Sequence, residues 1–172
     1  SFRGVKLGVP ICEDVWTPKV IAHLKDRGAE IFLVPNGSPF EADKGDLRRN
    51  LIADRVRESG VPMIYCNEVG GQDELVFDGG SFATNADGEL AVVAPDFEEG
   101  CFEIRVERTV RGLEVLPGVT AATLSDVAAV WQALVLGVRD YVEKNGFPGV
   151  VLGLSGGIDS AVTLAVAVDA LG

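Results

Sequence analysis

Histidine is almost absent from this sequence, and positive charge is scarce. His23 is the single histidine, so a Ser-His-Asp triad would have to use it, and no nucleophilic serine context accompanies it. The 15 Lys and Arg residues stand against 26 Asp and Glu residues, which gives a net charge of −11. Because non-specific nucleic-acid binding needs a positive surface that releases phosphate counterions, we do not expect it here.

Cysteines and long apolar runs are also few. The 3 cysteines, Cys12, Cys66 and Cys101, are scattered and show no CxxC spacing. This argues against a disulfide framework or a zinc site and favours a reducing cytosol. Apolar runs stay below the ~18 residues that span a bilayer, and residues 1–4 do not begin a signal peptide. Since residue 1 is not Met, we expect the natural start to lie upstream.

The first 66 residues alternate between strands and helices. Thr17-Pro18 supplies an N-cap followed by a proline at the first helical position, and Gly28 is a C-terminal stop. The pattern predicts strands at 5–11, 31–34 and 62–66 with helices at 18–27 and 46–58, an α/β architecture. Shorter strands follow at 75–77, 81–83, 90–94 and 102–106, with a hairpin turn at 85–88.

The last third of the chain begins with a predicted linker at 112–123, which has Pro117-Gly118 at its centre. Apolar residues at three- and four-residue steps then predict a helix over 124–145, capped by Ser125. The continuous apolar run at 149–154 is typical of a buried parallel strand. Such a strand needs sheet neighbours, so we expect the domain to continue beyond Gly172.

Residues 155–160, Ser-Gly-Gly-Ile-Asp-Ser, join this strand to an apolar helix. Glycines at 156 and 157 let the backbone approach an anion, and a helix N-terminus offers free amides. The hydroxyls of Ser155 and Ser160 can donate to phosphate oxygens, and Asp159 can reach Mg²⁺ or cap the helix. The loop has neither the Walker A lysine nor a GxGxxG pattern. A plain strand-to-helix turn of small residues is the alternative.

The hexapeptide resembles the SGGxDS signature of the ATP-pyrophosphatase superfamily, which includes the NAD, GMP, asparagine and argininosuccinate synthetases. The resemblance implies a Rossmann-like domain that binds ATP on this loop, adenylates a substrate and releases pyrophosphate. It assigns ATP binding to Ser155, Gly156, Gly157, Asp159 and Ser160, with Asp159 as a Mg²⁺ ligand.

Cys12 follows the first predicted strand and precedes Glu13-Asp14-Val15-Trp16. A cysteine at a strand end can be exposed and reactive, although an isolated cysteine there is more often a buried packing residue. Residues 11–16 resemble the nucleophile segment of the nitrilase superfamily, in its glutaminase branch. Residues 36–40 with Lys44 and Arg48, and residues 69–82, resemble the same branch.

Taken together, the chain resembles the glutamine-dependent NAD synthetases over essentially its whole length. This resemblance implies an α/β chain in which the back half of a nitrilase-like αββα sandwich precedes the first strand, loop and helix of an ATP-pyrophosphatase domain. The expected boundaries are 1–111 for the glutaminase part, 112–123 for the linker and 124–172 for the start of the synthetase part.

The resemblance also implies a mechanism. Cys12 would attack the side-chain amide of glutamine, with Glu13, Ser38 and Arg48 holding that substrate. Trp16, beside the nucleophile, could line the glutamine pocket, and simple packing is the alternative. Ammonia would pass through a tunnel and attack adenylated deamido-NAD, giving NAD, AMP and pyrophosphate in a cytoplasmic homo-oligomer. The family's triad is Glu-Lys-Cys, and only Cys12 has a match here. We expect the Glu and Lys to lie upstream, and the chain by itself to be inactive.

Two other functions stay open. A stand-alone carbon-nitrogen hydrolase would lack the loop at 155–160, and a non-catalytic interaction module would not need Cys12 or Asp159. The remaining polar and aromatic residues have simpler interpretations. We expect an exposed His23, packing roles for Cys66 and Cys101, core positions for Trp131 and Tyr141, and solvated turn charges at Asp96, Glu98 and Glu99.

Overall fold

The computed structural model describes residues 1–42 and 44–172, and the side chain of Lys44 lies outside the described part. The helices are α1 (Pro18–Asp26), α2 (Lys44–Ser59), α3 (Asp126–Lys144) and α4 (Ile158–Leu171), with a 3₁₀ helix at Cys12–Trp16. The strands are β1 (Leu7–Gly8), β2 (Ile31–Asn36), β3 (Met63–Asn67), β4 (Val69–Gln72), β5 (Leu75–Asp78), β6 (Phe82–Thr84), β7 (Leu90–Val93), β8 (Val106–Thr109) and β9 (Gly112–Val115).

The main sheet has the strand order β1-β2-β3-β6-β7. Its first three strands are parallel, with Phe32 opposite Met63 and Asn36 opposite Asn67. The next two strands are antiparallel to their neighbours, as the predicted hairpin at 85–88 requires. Because β1, β2 and β3 run in one direction, their carboxyl ends lie at one edge of the sheet. The residues that follow these strands, Cys12 among them, therefore gather at that edge.

Helices α1 and α2 cover one face of the sheet. The core between them contains Phe32, Ile52 and Met63, none of which is exposed to solvent. Helix α2 also buries Arg48 and Arg55 on the same face as Ile52. Two arginines on a core-facing side are unusual, because buried charges need partners. The partner of Arg48 belongs to the candidate site.

The other face of the sheet carries a smaller apolar cluster of Ala83, Val92 and Val115. Val115 belongs to β9, which pairs with β8 in a two-stranded ribbon. The Asn85 side chain fixes this ribbon, since it donates to the Val115 carbonyl (3.0 Å) and accepts from the Val115 amide (2.8 Å). The predicted strand at 102–106 is wrong, because within it only Val106 belongs to a strand of the described residues. Strand β9 occupies the first residues of the predicted linker at 112–123.

The hairpin of β4 and β5 packs against α3 through a close backbone approach. The Gly71 amide donates to Asp140 Oδ2 (2.7 Å), and Lys144 Nζ donates to the Gly71 carbonyl (2.7 Å). A Cβ atom at Gly71 would lie 3.1 Å from Asp140 Cβ and 3.2 Å from Gly137 Cα. The contact therefore favours glycine at positions 71 and 137.

This contact predicts a packing cost for a side chain at position 71. We expect Gly71→Val to lower the free energy of unfolding by about 1–3 kcal/mol, because the valine side chain would overpack the contact between the β4–β5 hairpin and α3. The matched control is Gly153→Val, where nothing lies within 4 Å of an added Cβ. Urea unfolding, monitored by tryptophan fluorescence, gives the midpoint of each variant, and the midpoints are compared at equal m-value. Equal midpoints for the two variants would contradict the close approach.

Helix α3 has a second contact face, which packs on α4. Val135 of α3 clusters with Val166 and Ala170 of α4, and Trp131 Nε1 donates to Asp169 Oδ2 at 2.9 Å. The predicted cap is confirmed, because Ser125 Oγ accepts from the Ala128 amide at 3.3 Å. Helix α3 thus joins the β4–β5 hairpin on one side to α4 on the other.

Several exposure predictions need correction. Tyr141 is 51% exposed and does not lie on the core face of α3. Residues 149–154 are an exposed coil, with Val151 fully exposed and Leu154 at 60%. A strand satisfies its amides and carbonyls only beside another strand. Among residues 1–42 and 44–172, no strand lies beside residues 149–154. An apolar pattern without a neighbouring strand is not enough to form a strand.

Within the described part of the chain, no helix is both long and apolar enough to cross a membrane. His23 is exposed, as predicted, whereas Cys66 and Cys101 are exposed and not packed. All three cysteines are free thiols.

Candidate functional site

Cys12 lies on a sharp turn that begins a few residues after β1 ends at Gly8. It is the first residue of the 3₁₀ helix, is half-buried and has a φ of +49°. Residues other than glycine rarely adopt positive φ, and those that do often belong to functional sites. A thiol held in this way can meet a substrate at the edge of the sheet.

The sequence around Cys12 explains the turn. The predicted strand at 5–11 shortens to Leu7–Gly8, because Pro10 has no amide hydrogen to continue the ladder. Pro10 is fully buried and Val15 is 1% exposed, so both sides of the turn are anchored. Between them, Asp14 Oδ2 accepts the Ile11 amide at 2.8 Å.

Ser38 follows β2 and is held by Asn67, the last residue of β3. The Ser38 amide donates to Asn67 Oδ1 (2.9 Å), and Asn67 Nδ2 donates to the Ser38 carbonyl (3.2 Å). Both residues are buried. An amide side chain that bonds both backbone groups of one residue fixes that residue closely. The position of Ser38 is therefore determined by β3.

Arg48 of α2 forms a buried ion pair with Asp78, the last residue of β5. Arg48 Nη2 lies 2.6 Å from Asp78 Oδ2, and the two side chains are 5% and 10% exposed. Asn67 Nδ2 also lies 3.4 Å from Asp78 Oδ1. Ser38, Asn67, Asp78 and Arg48 thus form one buried network, which we call the polar network. It brings two predicted site residues, Ser38 and Arg48, together.

Tyr65 of β3 adds a neutral hydroxyl to this region. Burial raises the pKa of Tyr65 to about 12, and the positive charge of Arg48 opposes that shift. The Ser38 side chain lowers the pKa of Tyr65 and the charge of Cys12 raises it, which places both residues near the Tyr65 hydroxyl. Tyr65 therefore stays protonated throughout the neutral range. It lies between the cysteine turn and the polar network.

Glu13 and Trp16 belong to the 3₁₀ helix and face solvent, Trp16 with 44% of its surface exposed. The predicted site residues therefore form two groups. One is an exposed pair beside Cys12, and the other is the buried pair in the polar network.

The loop at 155–160 is open to solvent. Gly156 has a φ of +86°, and nothing lies within 4 Å of a Cβ placed there. The hydroxyls of Ser155 and Ser160 lie 3.1 Å apart and bond each other, and Ser160 Oγ also donates to the Gly157 carbonyl at 3.0 Å. The two hydroxyls therefore bond partners within the loop itself.

Asp159 is exposed in the first turn of α4, and its carbonyl accepts from Thr163 Oγ1 at 2.8 Å. In residues 1–42 and 44–172 no three His, Cys, Asp or Glu side chains are grouped closely enough to hold a metal ion.

Comparison with known proteins assigns the first two thirds of the chain. A sequence profile described as carbon-nitrogen hydrolase matches residues 1–113. The chain belongs to the carbon-nitrogen hydrolase family. A second profile, described as NAD synthase, matches residues 130–172. The chain is 49% identical over 168 residues to a glutamine-dependent NAD(+) synthetase of Rhodobacter capsulatus, which covers 98% of this chain and 30% of that protein.

Two solved structures place the fold. The glutamine-dependent NAD+ synthetase of Acinetobacter baumannii, in complex with ADP, matches all of this chain and 32% of its own, with a TM-score of 0.91 and 44% identity. A mutant amidase of Nesterenkonia sp. AN1, with an acetamide moiety added covalently at its active site cysteine, matches 55% of this chain and 35% of its own, at a TM-score of 0.51 and 30% identity. The chain spans about a third of the length of the curated relatives that it matches.

The predicted fold class is confirmed. A nitrilase-like carbon-nitrogen hydrolase fold is followed by the start of an NAD synthase segment. The boundaries at 111 and 124 stay predictions. Helix α3 belongs mainly to the NAD synthase segment, yet it packs on the β4–β5 hairpin of the carbon-nitrogen hydrolase part. The two parts therefore share a packed contact.

Three residues of the candidate site were not predicted from the sequence: Tyr65, Asn67 and Asp78. Tyr65 and Asn67 stand at the end of an apolar strand, and Asp78 precedes two glycines. A polar residue at the carboxyl end of a parallel strand was a usable signal for Asn67. No local pattern links Asp78 to Arg48, which is 30 positions away.

Asp96 was predicted to be a solvated turn charge, and this is wrong. It is partly buried, and burial, together with the charge of Asp78, raises its pKa. Asp96 and Asp78 line a cavity of about 430 Å³ that also reaches Arg49 and the first turn of α3 at Asp126. This acidic cavity lies between the polar network of the carbon-nitrogen hydrolase part and α3.

The Arg48–Asp78 pair predicts a large stability effect. We expect Asp78→Ala to lower the free energy of unfolding by about 3–5 kcal/mol, because it removes the carboxylate from a buried guanidinium. Asp54→Ala is the surface control, since the Asp54–Arg57 pair is 61% and 60% exposed and such pairs contribute about 0–1 kcal/mol. Urea unfolding compares the two variants. An Asp78→Ala cost no larger than that of the control would contradict a structural role for the pair.

Proposed function

We propose that the protein containing this chain is a glutamine-dependent NAD synthetase. The observation that carries the proposal is the order of two features in one chain, a cysteine turn at Cys12 and then a phosphate loop at 155–160. The first suits amide hydrolysis through a thiol, and the second suits adenylation by ATP. Relatives of the same name match nearly the whole chain.

In the first half-reaction, Cys12 sulfur attacks the side-chain carbonyl carbon of glutamine. A sulfur–carbon bond forms, the carbon–nitrogen bond breaks, and the thiol proton leaves with the nitrogen as ammonia. Water then cleaves the thioester, which returns the thiol and gives glutamate. Glu13 is proposed to bind the amino-acid end of glutamine, with Trp16 beside it and with Ser38 and Arg48 forming the buried polar wall. The Glu and Lys of the family triad are not assigned to residues described here.

In the second half-reaction, the amides and hydroxyls of residues 155–160 bind the phosphates of ATP. The Ser155 and Ser160 hydroxyls, which bond each other at 3.1 Å, would turn to phosphate oxygens. The carboxylate of deamido-NAD attacks the α-phosphorus and pyrophosphate leaves. Ammonia then displaces AMP to give the amide of NAD. Mg²⁺ takes one carboxylate plus substrate phosphates and waters, which fits Asp159, and it would neutralise phosphate charge when bound.

Helix α3 connects the two proposed sites. One face is seated on the β4–β5 hairpin, which ends at Asp78, and the other face packs on α4, which begins at the phosphate loop. Ammonia is proposed to travel between the sites through the protein. We also propose a homo-oligomer in the cytosol, where the exposed free thiols of Cys66 and Cys101 would stay reduced.

Two alternatives remain in competition. A stand-alone amidase is favoured by the likeness to the Nesterenkonia enzyme, but it leaves the loop at 155–160 without a role. A non-catalytic module leaves the strained Cys12 without one.

The decisive experiment supplies the full-length protein with ATP, deamido-NAD and glutamine labelled with ¹⁵N at its amide. We expect labelled NAD, AMP and pyrophosphate in equal amounts. Ammonium chloride in place of glutamine should also give NAD. Glutamine hydrolysis without any AMP would support the amidase, and no reaction with either nitrogen donor would refute both enzymatic functions.

A further inference from the structure

The cysteine turn depends on a carboxylate that has no role in the proposed chemistry. Asp14 stands two residues after Cys12 and is exposed to solvent. Its Oδ2 accepts the Ile11 amide at 2.8 Å, while its own amide donates to the Ile11 carbonyl at 3.0 Å. Both bonds close across Cys12 and Glu13. Asp14 therefore holds Ile11, the residue before Cys12, by both the amide and the carbonyl of Ile11. We call this pair of bonds the clamp.

The clamp is needed because the conformation of Cys12 is unfavourable by itself. A φ of +49° places a side chain in the left-handed region, which costs of order 1–3 kcal/mol and persists only where the surroundings hold it. Rotation of Cys12 to a negative φ would swing Ile11 away from Asp14 and break both bonds. Pro10 and Val15 anchor the flanks, but neither bonds the polar groups of Ile11.

We infer that Asp14 is a positioning residue that holds Cys12 in its reactive orientation. This inference deepens the proposed function and rests on it for the identity of the substrate. Asp14 acts as an acceptor of the Ile11 amide, in the way that a helix N-terminal side chain satisfies a free amide. It does not touch glutamine. Any short side chain with an oxygen at the same place should therefore replace it.

The test is the rate at which iodoacetamide alkylates Cys12 in the full-length protein. Exposed Cys66 and Cys101 serve as internal references in the same peptide map. We expect Asp14→Ala to slow alkylation of Cys12 on the order of tenfold relative to Cys66. Asp14→Asn keeps an acceptor oxygen at the same distance from the backbone and should stay within about threefold of wild type. Asp26→Ala, an exposed carboxylate at the end of α1, is the control.

Steady-state assays add a second measurement. In Asp14→Ala we expect kcat with glutamine to fall while KM stays near wild type, and NAD formation from ammonia to be unchanged. Alkylation of Asp14→Ala at the wild-type rate would overturn the inference. So would an Asp14→Asn variant as slow as Asp14→Ala, because the acceptor would then be irrelevant. If wild type consumes no glutamine, the proposed function fails, and alkylation still decides the role of Asp14.

Discussion

Cys12→Ala is expected to abolish NAD formation from glutamine and to leave NAD formation from ammonia at the wild-type rate. The loss should be at least about a thousandfold, since a nucleophile cannot be replaced by its neighbours. The thiol forms the thioester in the proposed first half-reaction, and no other described cysteine shares its geometry. Cys12 has a φ of +49° and follows the parallel strand β1, whereas Cys66 lies within β3 and Cys101 in a coil.

The assay with ammonia distinguishes a loss of catalysis in Cys12→Ala from a loss of folding. Ammonia enters after the thiol has acted, so a folded Cys12→Ala protein keeps its second half-reaction. Replacement of Cys by Ala at a half-buried turn removes one sulfur and no hydrogen-bond partner in the described part of the chain. Cys66→Ala is the matched control, because it removes an exposed thiol and should leave NAD formation from glutamine and from ammonia unchanged. A Cys12→Ala variant that still makes NAD from glutamine would refute Cys12 as the nucleophile.

The elements that were predicted correctly carry strong local signals. Apolar residues at 31–34 and 62–66 become β2 and β3, and α1 begins at Pro18 as predicted, although the Thr17 side chain makes no capping hydrogen bond. Strand β4 was missed because Gly70 and Gly71 are poor strand formers. Strand β4 forms by pairing with β5, and the hairpin is held on α3 where the Gly71 amide donates to Asp140 Oδ2. A contact between residues 69 positions apart leaves no periodic signature.

The candidate site shows the same division. Cys12, Ser38 and Arg48 were selected through a resemblance, and the structure adds how they are held. The contacts of Asp78 with Arg48 and of Asn67 with Ser38 could not be predicted from the sequence. Asp78 lies on β5, Asn67 on β3 and Arg48 on α2, and these elements meet only when the sheet is assembled. The exposed coil at 149–154 is the opposite case. Its apolar pattern predicted a strand, but a strand also requires a partner that the pattern does not supply.

Gly157→Val is expected to lower ATP-dependent pyrophosphate release by at least about a hundredfold, the scale on which misplaced reactants lose rate. The choice between the two glycines is structural. Gly156 has a φ of +86°, so a side chain there would strain the backbone. Gly157 has a φ of −85°, and a Cβ placed on it meets only Ser155 Oγ at 3.6 Å. The loop can therefore keep its shape with Val at 157.

The loss in Gly157→Val would then come from bulk in the space where phosphate approaches the helix N-terminus. Ala165→Val adds similar bulk at an exposed position of α4 and should release pyrophosphate at the wild-type rate. Asp159→Ala tests the proposed Mg²⁺ contact separately, and its loss should be partly recovered by raised Mg²⁺. Glutamine hydrolysis remains chemically possible in all three variants, because Cys12 lies on another element. Undiminished pyrophosphate release in Gly157→Val would count against phosphate binding at residues 155–160.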